Sequence, residues 1–152
     1  MGKLISRLFA LALSFFLLVA APFSLSVLSD NIMARYAIMN DVENFLDEVA
    51  DTGKIDDTML SNFYLDVSSH GVLVDVEVQR YVRVVEGGVS DASGHNQVTT
   101  YMLTDNIESF NTGDKVVVHV EAVGYTAGQR VVMGTIGQVL PDFDYTFPKR
   151  VR

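Results

Sequence analysis

Three histidines, His70, His95 and His119, are the side chains of this sequence best suited to acid–base or metal chemistry, and their positions keep them apart. The sequence places them in a helix-end turn, a glycine-rich loop and a strand, with no H-x-x-x-H or H-x-H spacing that would aim two imidazoles at one ion. There is no cysteine, which removes disulfides and thiolate metal sites. Ser69 and His70 are adjacent, but neighbours in sequence point apart, and no G-x-S-x-G turn presents a nucleophile. Gly134-Thr135-Ile136-Gly137 lacks the lysine and the following helix that phosphate binding requires. The expectation is that the chain is not an enzyme, and no catalytic, cofactor-binding or metal-ligating residue is assigned.

Carboxylates are the more abundant resource. Asp41, Glu43, Asp47, Glu48, Asp51, Asp56 and Asp57 carry oxygen donors that suit calcium, but most are spaced as one solvated helix face and no D-x-D-x-D-G loop is present. Asp142 and Asp144 share one strand face, which reads as wet surface. At the other end, Lys149, Arg150 and Arg152 form a basic tail, either solubilising or able to contact a neighbouring acidic helix, which would suit head-to-tail assembly. All nineteen acidic residues lie at or after Asp30, where only nine basic residues accompany them, a net formal charge of −10. Such a surface repels nucleic acid and anionic lipid.

The segment that must position everything else is apolar. From Leu8 to Leu28 the chain reads LFALALSFFLLVAAPFSLSVL, without a charge. As a helix it would be ~31 Å long, the thickness of a bilayer's hydrocarbon core. Lys3 and Arg7 precede it and Asp30 follows, so the positive-inside tendency predicts a single-pass protein of the cytoplasmic membrane with its N-terminus inside. A cleaved signal peptide, with a small-x-small step at Ser24-Leu25-Ser26, is the competing reading, and it exports the same domain. The expected organisation is a cytoplasmic stub and transmembrane helix over 1–29, then one extracytoplasmic α+β domain over 30–152.

Within that domain, Ile32, Tyr36, Met39, Val42, Phe45, Leu46 and Val49 recur at helical spacing up to Gly53, which predicts one long helix from about Leu4 to Asp51, straight or kinked at Pro22. Asp56 or Asp57 caps a second helix with Met59, Leu60, Phe63, Tyr64 and Val67 on one face; Tyr36, Phe45, Phe63 and Tyr64 are expected in the core. VLVDVEVQRYVRVV alternates as a strand that pairs with KVVVHVEAVGYT. Glu86 to Gln97 is a loop, Val98 to Leu103 a short strand, and Thr104 to Phe110 a helical turn. Arg130 to Leu140 is read as a strand with a bulge in preference to a poor helix. Phe143, Tyr145 and Phe147 alternate along a terminal edge strand.

A basic start, an apolar helix with an internal proline, direct continuation into an amphipathic helix and then an antiparallel sheet together resemble the pilin and pseudopilin plan. FLDEVADTGKIDDTMLSNFYLDV (Phe45 to Val67), the strand VLVDVEVQRY, GDKVVVHVEAVGY and the closing PDFDYTFPKR are similar to pilus-associated proteins of Gram-positive bacteria related to the minor pseudopilins of tight-adherence systems. The resemblance covers most of the chain. It implies a pilin-like fold, with the long N-terminal helix packed on a small antiparallel sheet. It also implies a membrane-anchored structural or assembly subunit of an adhesion or secretion machine, whose partners are other pilin-like subunits or assembly proteins met through the N-terminal helix. The alternative is a membrane-tethered extracytoplasmic binding module for a cell-wall component or calcium, using the Glu86 to Gln97 loop.

Overall fold

The computed structural model describes residues 2–87, 97–137 and 143–152. One continuous helix runs from Gly2 to Thr52, 51 residues long, or ~76 Å at the α-helical rise. Pro22 leaves its mark one turn earlier. Proline has no N–H to give to the carbonyl four residues back and its ring collides with that carbonyl, so the preceding turn, Phe16–Ala20, widens into a π-turn in which Ala21 N–H reaches Phe16 O. The helix stops where expected. Gly53 takes a left-handed φ of 66° and donates its N–H to Val49 O.

A capped helix follows (Asp57–Ser69), begun by Asp56, whose carboxylate accepts from Met59 N–H at 2.8 Å. Four antiparallel strands complete the fold: β1 (Val74–Gly87), β2 (Gln97–Thr104), β3 (Lys115–Ala122) and β4 (Asp144–Arg150), in sheet order β2-β1-β3-β4. β1 is long enough to serve two partners. Its first half pairs with β3, Val74 opposite Ala122 through Tyr81 opposite Lys115, and its second half pairs with β2, Arg80 opposite Thr104 through Gly87 opposite Gln97. The expected pairing of the two valine-rich strands and the terminal edge strand are therefore both present. The architecture is α+β, with a long N-terminal helix and an antiparallel sheet.

The core lies between the outer half of the long helix and one sheet face. Ile38, Val42, Phe45, Leu46 and Val49 pack against Val116, Val118 and Val120, with Phe143 and Val151 closing one side and Phe63 and Val67 the other. Phe45 and Phe63 stack at 4.2 Å between centroids.

Three expectations are corrected. The buried stripe of the long helix runs through Asn31, Ile38, Val42, Phe45 and Val49, so Ile32 and Tyr36, one residue out of phase, face solvent, and Tyr64 is also exposed. Residues 104–110 form no helical turn; they run as an irregular segment bridged to the loop after the long helix, with Phe110 N–H on Gly53 O at 2.8 Å and Ile55 N–H on Glu108 O at 3.1 Å. Ala127–Ile136 is a short helix and not a strand. A capping box decides it: Thr126 Oγ1 accepts from Gln129 N–H at 3.3 Å while Gln129 Oε1 accepts from Thr126 N–H at 2.6 Å, which outweighs the weak helix propensity of its valines and glycines. The basic tail turns back onto its own helix, as described next.

Candidate functional site

No catalytic constellation emerges among the described residues. Ser69 Oγ donates to Asp66 O at 2.7 Å, within its own helix end, while the adjacent His70 Nε2 sits 2.6 Å from Asp41 Oδ2 on the long helix. The side chains of Ser69 and His70 thus serve different neighbours, as adjacency predicts. His119 Nδ1 lies on the outer sheet face, 3.0 Å from Thr146 Oγ1 and 3.7 Å from Asp144 Oδ1. His95 and Asp142 fall outside the described residues, as does 88–96, the greater part of the loop considered as a contact surface. Gly137 lies at the C-terminal end of the short helix, with φ 72°, the end opposite to one that would bind an anion.

The acidic residues divide by task. Asp56 caps a helix and Asp41 pairs with His70. A groove of about 170 Å³ between the long and capped helices is lined by Asp41, Asn44, Glu48, Asn62 and Asp66 above the Phe45–Phe63 pair. Among the described residues no three metal-ligating side chains converge on one point. Asp47 and Asp51 meet the tail: Lys149 Nζ is 2.8 Å from Asp47 Oδ1, Arg152 Nη1 is 3.4 Å from Asp51 Oδ1, and Arg152 N–H donates to Ala50 O at 3.1 Å. The hydrogen bond from Lys149 holds the Asp47 carboxyl below the usual carboxylate range. The acidic helix that the basic tail contacts is thus in the same chain, and the tail clips the last strand onto it.

One polar cluster was not foreseen. Asp114 is buried and receives four donors: Arg80 Nη2 at 2.8 Å, Arg80 Nε at 3.2 Å, Arg83 N–H at 3.0 Å and Asn111 N–H at 3.0 Å. Burial pushes its carboxyl up, but the backbone donors of Arg83 and Asn111 and the Arg80 guanidinium outweigh this and hold it below 3.8. Arg80 also donates to Asn106 O at 3.2 Å and lies 5.2 Å from the centroid of Phe110. The cluster pins the 104–114 segment to β1, and through Val151 N–H on Asp114 O at 2.9 Å it pins the chain end as well. With every donor aimed inward it is a structural clamp. The signal was present in β1, where Arg80 occupies the phase otherwise held by Val74, Val76, Val78, Val82 and Val84.

The remaining surface feature is the largest. Up to Ser26 no residue of the long helix is buried by the rest of the chain, and Leu4, Leu8, Phe9, Leu11, Leu18 and Leu25 stand fully in the open. Coverage begins at Val27, one residue before the apolar run ends. This is a helix long and apolar enough to cross a membrane. No family model, curated protein or solved structure matches the chain. Function must therefore be argued from this helix and from the domain that it carries.

Proposed function

We propose that this protein is a membrane-anchored structural or assembly subunit of a pilus-like adhesion or secretion machine. One observation carries the reading: the uncharged helix from Leu8 to Leu28 is unshielded along nearly its whole length and continues without a break into the core helix of a compact domain. An aqueous protein does not leave so long an uncharged, mostly apolar stretch as Leu8 to Ser26 uncovered, so lipid or partner helices take that surface. Because helix and domain share one rigid rod, a force or contact on the anchor is transmitted directly to the domain. That suits a subunit which must hold a fixed attitude within an assembly. With Lys3 and Arg7 retained in the cytoplasm, the acidic domain lies outside. The pilin resemblance adds partner identity, namely other helices of the same plan packed alongside the anchor.

Replacing Leu8 to Leu28 by an unrelated transmembrane helix tests this. The exchanged chain is expected to stay in the membrane and keep its domain folded, but to lose the complexes that the native chain forms in mild detergent. Retention of those complexes by the exchanged chain, or tight binding of a small metabolite by the domain, would overturn the assembly role.

A further inference from the structure

The end of the domain where the long helix enters differs in chemistry from the rest of the molecule. Gly128, at the start of the short helix, sits so close to the long helix that a Cβ there would lie 3.3 Å from the Val27 side chain, placing the short helix level with the last turn of the apolar segment. The adjacent ends of β1 and β3 lie at the same level, with Val123 N–H donating to Leu73 O at 3.0 Å. A cleft joining Asn31, Val72, Val123, Tyr125 and Gln129 ties both to the first turn after Asp30. Three large apolar side chains are left in the open here: Leu73 at 72 %, Val123 at 68 % and Val131 at 55 % exposure. The short helix turns Gln129 and Val132 inward and Ala127, Arg130, Val131 and Gly134 outward.

Charge is segregated in the same place. From Ala122 to Gly137 the chain has no acidic side chain and a single basic one, Arg130, in a domain whose net charge is −10. Everything acidic on the sheet begins at Asp75 and Glu121, which are paired one rung farther from this end.

We infer that this underside is seated on the bilayer that holds the anchor, with the short helix lying in the headgroup layer and Leu73, Val123 and Val131 entering its apolar boundary. The inference rests on the membrane reading above. The occupant is fixed by continuity: a helix that leaves the hydrocarbon near Leu28 brings Val27, and with it Gly128, to the lipid surface. Asp30 lines the cleft beside Gly128 and Gln129, but the Ala122 to Gly137 segment itself carries no carboxylate, and that absence favours contact with lipid phosphates. A short helix whose outer face sets one arginine among an exposed valine, alanine and glycine suits the interface plane. Since the domain as a whole is acidic, contact depends on apolar insertion and needs no anionic lipid. The seated domain would then be held in one attitude to the membrane by two attachments, the anchor and the short helix.

The chain has no cysteine, so single cysteines report one site each. Full-length protein carrying Leu73→Cys, Val123→Cys or Val131→Cys is labelled with an environment-sensitive fluorophore and reconstituted in phosphatidylcholine vesicles containing a lipid with a nitroxide near the glycerol backbone. Met102→Cys, exposed on β2 opposite Val82 and ~26 Å along β1 from Val74, is the distal reference; Leu18→Cys reports the span. The expected result is quenching about twofold or more stronger at the three underside sites than at Met102→Cys, together with strong quenching at Leu18→Cys in vesicles whose nitroxide sits deep in the acyl chain. Quenching at Leu18→Cys with none at the underside overturns the seating and leaves the anchor standing. A label at Val131→Cys that is shielded only at high protein density and untouched by lipid nitroxide assigns the face to a second copy and overturns it too. No quenching at Leu18→Cys removes the membrane reading itself.

Discussion

Asp114 has four donors on two carboxylate oxygens and almost no access to water. Removing it leaves the buried Arg80 guanidinium without its counter-charge and the Arg83 and Asn111 N–H groups without their acceptor, which costs more than the net worth of the bonds themselves. Asp114→Ala is expected to lower unfolding stability by about 3 kcal/mol, measured by denaturant titration of the detergent-solubilised chain with tyrosine near-ultraviolet circular dichroism as the readout. The acid dependence follows from the sign of the shift. The carboxyl titrates lower in the folded than in the unfolded chain, so its contribution is complete above the unfolded value of 3.8 and disappears as the pH falls through the lower folded value. Asp114→Asn is therefore expected to unfold more easily at neutral pH and to show a shallower loss of stability below about pH 4 than the native chain. At the surface the balance is different. The Lys149–Asp47 contact is solvated, so Lys149→Gln should lower the melting temperature slightly in low salt and indistinguishably from the native chain at about 1 M salt, where charges are screened beyond ~3 Å.

At the scale of elements, end signals decide more than propensity. Gly53 adopts φ 66°, where a Cβ would be strained and would also approach Phe110 O at 3.4 Å, so Gly53→Ala should cost about 1 kcal/mol in the same unfolding experiment. Thr126→Ala removes half of a capping box. About 1 kcal/mol is the expected loss, concentrated in the short helix and visible as faster amide exchange over Arg130 to Gly134 than in the native chain. The same signals explain what was legible beforehand. Strands β1 and β3 alternate, Arg80 and Val117 apart, because one face is buried, Asp56 and Gly53 marked helix ends, and the uncharged run marked the helix that is long and apolar enough to cross a membrane. The short helix was misread because Val131, Val132 and Gly134 suggest a strand with a bulge, while Thr126-x-x-Gln129, the deciding pattern, lies upstream of the segment considered. The stripe of the long helix was read correctly from Met39 to Val49, and only its first two positions, Ile32 and Tyr36, were misplaced, because they are as apolar as the residues that are buried and which side meets the sheet depends on β3, far away in sequence. The Asp114 clamp also depends on contacts some thirty residues apart, and only Arg80 in a valine phase hinted at it.

At the scale of the whole molecule, the fold presents two surfaces of opposite kind on one rod. The first half of the helix is apolar and uncovered, and the domain is acidic and packed against the second half, with its last strand clipped on by Lys149 and Arg152. Both proposals, the assembly role and the seating of the domain, rest on the apolar helix being in lipid with the domain beyond it. The most direct test uses single cysteines in full-length protein at Ser6 and at Met102, treated in intact expressing cells with a membrane-impermeant maleimide. The account predicts a chain that stays with the membrane pellet, labelling of Met102→Cys in intact cells, and labelling of Ser6→Cys only after permeabilisation. A soluble chain whose Met102→Cys reacts only after lysis would contradict it.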